Sequence, residues 1–140
     1  MLDTGAVFEL LNKHRPPLLR ILQAADLRAE PVWVPTPVLV EVGQAKAPPS
    51  KRLKAIWEIA NVAELDERIA YAAADALRSV SREKCSECSN FVRPTLVDAV
   101  VMALAADYAE VIPQVIVYTQ DLDDMNALRA HFPKVIVKRA

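Results

Sequence analysis

Four carboxylates carry the chemistry this sequence can offer, because each follows a short apolar run or opens a helix: Asp3, Glu41, Asp98 and Asp121. Asp3 comes directly after Met1 and Leu2, which read as the end of a first strand, and Asp121 comes just past QVIVY, separated from it by Thr119 and Gln120. In a parallel α/β sheet, ligands collect at the carboxyl ends of strands, so these two acids are expected on one edge. Glu41 falls in the first turns of the helix after a strand at 32–34, and Asp98 in the first turn of an Ala-rich helix. Asp107, nine residues beyond Asp98 at about 100° each, belongs to the opposite helix face. Two carboxylates about 4 Å apart repel by about 4 kcal/mol at an effective dielectric of 20. Such a cluster is tolerated if it is protonated or bridged by a cation. All-oxygen ligands point to Mg²⁺ or Mn²⁺ rather than zinc. A plainer role is open to each acid alone: helix N-termini favour acids, so Asp98 and Asp124 could simply cap a helix or complement its dipole. The apolar neighbours of Glu41 (Val40, Val42) and of Asp98 (Val97, Ala99) argue instead against a solvated face.

The elements that must position these acids are legible as alternating short β-branched runs and longer helical ones. Residues 5–12 read as a short helix, and Pro16 opens another to about Arg28. A strand at 32–34 lies between Pro31 and Pro35, and Pro37 suits the first turn of the next helix. Pro48 and Pro49 break it; Ser50 is a candidate N-cap for the helix KRLKAIWEIA. Asp66 caps a helix whose Ile69, Ala73, Ala76, Leu77 and Val80 share one face. The polar segment 81–93 reads as a loop, and Thr95 or Leu96 begins a helix ending near Tyr108. QVIVY is the clearest buried strand; a helix over 122–131, stopped by Pro133, and a strand at 135–137 complete the chain. Strands separated by helices favour a parallel sheet covered by helices, a single α/β domain over residues 1–140.

Composition narrows the rest. The 140 residues are 53% hydrophobic, enough for a core. With 17 Lys+Arg against 18 Asp+Glu, the net charge of -1 excludes a broadly basic nucleic-acid surface. The 2 glycines cannot write either Gly-rich phosphate-binding motif. No secretory signal or membrane-length apolar run is present, so the expectation is a cytoplasmic protein with no membrane association. Cys85 and Cys88 form a lone CxxC in a polar loop, without a second pair or a nearby histidine, and read as two reduced thiols. His14 and His131 read as surface or packing residues, and Trp57 as core.

Together these segments resemble a family. MLDTG with Asp3 and Thr4, PTPVLVEV with Glu41, TLVDAVVMALAA with Asp98, and VYTQDLDDMNAL with Asp121 and Asp124 look like the motifs of PIN-domain ribonucleases, above all the VapC-like toxins of bacterial toxin–antitoxin pairs. No single motif is specific, but their order and spacing span nearly the whole chain. The resemblance implies a three-layer α/β/α fold with a short-stranded parallel sheet and an acidic pocket for Mg²⁺ or Mn²⁺. It implies that Asp3, Glu41, Asp98 and Asp121 form the acidic quartet, with Asp124 a further acid nearby. Thr4 and Thr119 then match supporting hydroxyls, while Asp123 faces solvent or caps the last long helix. It also implies RNA as substrate, a homodimer, and a small antitoxin partner. Family members usually carry a full strand before the first Asp, whereas only Met1 and Leu2 precede Asp3 here, through a shortened strand or a start lying upstream.

The implied activity is metal-dependent endonucleolytic hydrolysis of RNA. Lys46, Lys51, Arg52 and Lys54, with no acid among them, could grip phosphates beside the pocket, or could be an ordinary solvated helix start. Thr119 either orients a carboxylate or merely ends its strand. The competing reading is a nuclease-inactive binding module acting through a protein partner. A phosphatase or phospho-accepting receiver fits less well, since Asp3-Thr4-Gly5 is not DxD, no acidic pair lies near the first strand, and Lys134 and Lys138 are poorly placed.

Overall fold

The computed structural model describes residues 1–12, 16–45, 51–82 and 93–140, without the side chains of Arg52, Ser81 and Arg82. His14, Lys46, Ser50, Cys85 and Cys88, and the readings attached to them, lie outside the described residues. Seven helices and four strands are present among those described: α1 (Thr4–Asn12), α2 (Pro17–Leu27), β1 (Val32–Pro35), α3 (Thr36–Ala45), α4 (Lys51–Ile59), β2 (Ala60–Ala63), α5 (Glu67–Arg82), α6 (Leu96–Tyr108), β3 (Val115–Thr119), α7 (Leu122–Arg129) and β4 (Val135–Arg139).

All strand pairs are parallel. β1 pairs with β2, Val32 opposite Ala60, and β3 pairs with β4, Val115 opposite Val135. The first three residues join the two pairs. Leu2 N–H donates to Trp33 O on one side, while Asp3 N–H donates to Tyr118 O and Tyr118 N–H to Met1 O on the other. Leu2 bridges Tyr118 in parallel sense. The order is therefore β2, β1, residues 1–3, β3, β4, with Asp3 leaving at the carboxyl edge. α1 packs on α2 and α3 and against β3, α2 and α3 pack against β1, and α6 meets β1, β3 and β4 while packing on α5 and α7. The strands are thus covered on both faces, the α/β layering that the sequence implied.

Local sequence explains most elements. In α5, Ile69, Ala73 and Ala76 are buried, with Leu77 and Val80 packed beside them. The Asp66 carboxylate accepts from Ile69 N–H at 2.8 Å, capping that helix as expected. α6 is buried without a break from Ala99 to Ala105, so a helix of small and apolar residues runs through the centre, where no polar face is needed. Trp57 packs partly buried against the core.

Four readings need correction. The helix over KRLKAIWEIA stops at Ile59, and Ala60 begins β2, a strand the sequence did not announce. ANVA is only four residues long, and its burial runs from half-exposed to exposed until Ala63. Its extended form comes from pairing with β1, a contact that no local pattern encodes. The segment from 81 was expected to be loop, yet α5 continues to Arg82. β3 and β4 extend to Thr119 and Arg139, while α7 ends at Arg129 rather than His131. Val40 is 55% exposed although Val42 on the same helix is buried, so apolar flanks did not mark Glu41 as enclosed on both sides.

Candidate active site

Three of the four acids do double duty at helix starts. Asp3 precedes α1 and its Oδ1 accepts from Ala6 N–H at 2.6 Å. Asp121 is the N-cap of α7, its Oδ1 accepting from Asp124 N–H at 3.3 Å. Asp98 closes a capping box on α6: its Oδ2 accepts from Thr95 N–H at 2.7 Å and from the Thr95 hydroxyl at 2.8 Å, and Thr95 Oγ1 accepts from Asp98 N–H. The plain capping role is therefore present at Asp98. The positive ends of three helix dipoles sit beside these acids and lower the cost of holding them. Glu41, in the body of α3, accepts a hydrogen bond from the Thr4 hydroxyl.

The acids influence one another. Asp3, 4% exposed, has its carboxyl pushed up to about 6, first by burial and further by the charges of Asp98 and Asp121. Bonds from the Thr119 side chain and from Ala6 N–H pull the other way. Burial also raises Asp98, opposed by Thr95, with Asp121 and Glu41 adding repulsion. Asp124 is raised by burial and by Asp121, Asp98 and Asp123, while Arg93 N–H, donating to its Oδ1 at 2.9 Å, opposes the rise. Asp3, Glu41, Asp98, Asp121 and Asp124 thus form one repelling set. Asp123 is exposed in the first turn of α7.

The hydroxyls hold this set in place. Thr119, fully buried, bonds Asp3 and accepts from Asp121 N–H at 2.8 Å, linking the first and last acids through one oxygen. It bonds the Asp3 carboxylate as well as ending its strand. Thr95 was not singled out from the sequence, although Thr-x-x-Asp before an apolar run is a capping-box signature. Lys51 and Lys54 are exposed on α4, which packs on α1 and β2. Beside Glu41 lies an open cleft of about 370 Å³ walled by Pro37, Val40, Leu65 and Val97.

The donor set is wholly carboxylate and hydroxyl oxygen, which fits a hard cation of the Mg²⁺ or Mn²⁺ class. Among the described residues, no three His, Cys, Asp or Glu side chains close into a ready-made cage. Each carboxylate is held instead by a neighbouring donor. No helix among those described is long and apolar enough to cross a membrane.

No protein-family model and no curated protein matches the chain. Its fold does match a solved structure, the crystal structure of DNA-bound VapBC from Salmonella typhimurium. The TM-score is 0.62 and the identity 18%, over 99% of this chain and 96% of that one.

Proposed function

We propose that this protein is a Mg²⁺- or Mn²⁺-dependent endoribonuclease, acting as the toxin of a toxin–antitoxin pair. The observation that carries the reading is the coupled carboxylate set at the sheet edge, with Asp3 buried and its pKa raised to about 6. A bound cation would offset the repulsion among these acids, and perturbed carboxylates of this kind cluster at functional sites. The likeness to a VapBC chain supports the same reading and the expectation of an antitoxin partner.

Asp3, Glu41, Asp98 and Asp121 would hold the cation, with Asp124 beside them. Once bound, the cation would polarise an RNA phosphate and lower the pKa of a water able to attack it. Thr119 holds the Asp3 carboxylate and the Asp121 backbone, Thr4 fixes Glu41, and Thr95 fixes Asp98, so the oxygens of Asp3, Glu41 and Asp98 are presented in preset directions. Lys51 and Lys54 would contribute phosphate contacts. A homodimer in the cytoplasm belongs to the same proposal.

The test is cleavage of a total-RNA pool by metal-loaded protein, with and without chelator, beside Asp98→Asn. Chelator-sensitive cutting that disappears in the variant supports the nuclease. A second reading, a binding module without nuclease activity, draws on the local donors that occupy each carboxylate. Folded, metal-loaded protein, freed of antitoxin, that leaves RNA intact would favour it.

A further inference from the structure

One buried acid stands outside this set. Glu9, 6% exposed in the middle of α1, accepts from Gln120 Nε2 at 2.7 Å, and the same amide donates to the backbone oxygen of Ala140 at 2.8 Å. Gln120 lies between Thr119, which bonds Asp3, and Asp121. Gly5 and Glu9 are four residues apart on α1, hence on one stripe of the helix. A Cβ on Gly5 would come within 3.0 Å of Gln120 Cβ and 3.2 Å of its backbone nitrogen. The absent side chain at 5 lets the Gln120 backbone rest on α1, and the carboxylate at 9 holds its amide there.

We infer that Gly5, Glu9 and Gln120 form a clasp that positions Asp121 against the helix beginning at Asp3, so Glu9 and Gln120 are positioning residues for the cation site. The inference rests on the active-site reading above. Gln120 is itself exposed, so it adds little to the core. Its bonds act on the turn that carries Asp121.

The test compares wild type with Gln120→Met, Gln120→Glu, Gly5→Ala and the exchanged pair Glu9→Gln/Gln120→Glu. Mn²⁺ affinity is measured by calorimetry on metal-stripped protein, together with thermal melting and the kcat and KM of RNA cleavage. Outer partners of ligands are worth about 10- to 100-fold in metal affinity. Gln120→Met and Gly5→Ala should each weaken Mn²⁺ binding by about tenfold and lower kcat more than KM. The exchanged pair, which restores one donor and one acceptor at unchanged charge, should recover at least half of what Gln120→Glu loses. Wild type that binds Mn²⁺ while Gln120→Met and Gly5→Ala bind it equally well overturns the clasp and leaves the active-site reading standing. So does an exchanged pair no better than Gln120→Glu. Wild type that binds no Mn²⁺ overturns both. Should Gln120→Met fail to fold, Gly5→Ala and the exchanged pair decide.

Discussion

At the residue scale, the fold keeps carboxylates where they repel one another. Asp3 has an ordinary value of 3.8 and is raised to about 6 in the fold, so the folded chain holds its proton more tightly than the unfolded chain does. That contribution is fully present below pH 3.8 and is lost as pH rises through 6. The difference corresponds to about 3 kcal/mol. Metal-free protein should therefore lose stability between pH 4 and 7, and Asp3→Asn should flatten the profile and melt higher than wild type at pH 7.5. Denaturant unfolding at several pH values in the presence of chelator checks this; a wild-type profile rising across that window would contradict it. Asp98→Asn keeps an oxygen for Thr95 and removes one charge. It should fold normally and cleave RNA at least a hundredfold more slowly, on the order of an active-site donor's worth.

At the scale of elements, helix starts are where fold and site meet. Thr95→Ala removes the cap of α6 and the hydroxyl that holds Asp98. It should cost about 1 kcal/mol, a few degrees in Tm, and slow cleavage as well. Gly43 supplies the contrast: a Cβ there meets nothing within 4 Å, and α3 continues through it. Gly43→Ala should stabilise by up to about 1 kcal/mol and leave cleavage unchanged. Thermal melting and a cleavage assay read both variants. What the sequence made legible follows the same physics. α5 was readable because its helical periodicity is written in its own residues, β3 because its apolar β-branched run is unbroken, and Asp3 and Asp121 because strand ends fix where acids emerge. β2 was not, because ANVA becomes a strand through β1 alone. The exposure of Val40 was also hidden, since it depends on which neighbours the fold withholds. Thr95 could have been found from its spacing to Asp98. The Glu9–Gln120 bond joins residues 111 apart, and no local signal announces it.

At the scale of the whole molecule, the proposed activity requires a chain of net charge -1 to bring an acidic edge to a polyanion. Lys51 and Lys54 are the exposed cations expected to contribute on α4. Replacing both with alanine should weaken RNA binding and lower its salt slope by about one per lost phosphate contact. An unchanged slope would remove α4 from the RNA path. With three helix dipoles, two threonines around Asp3 and Glu41, and a shared repulsion, the acids at the sheet edge are proposed to work as a single cation site. Calorimetric titration of metal-stripped protein with Mn²⁺ tests it most directly, at pH 5.5 and 7.5, in wild type, Asp3→Asn and Asp98→Asn. A saturable site is expected in wild type, tighter at pH 7.5 because Asp3 must give up its proton, and lost or much weakened in both variants. Absence of binding in wild type, or equal binding in all three proteins, would contradict it.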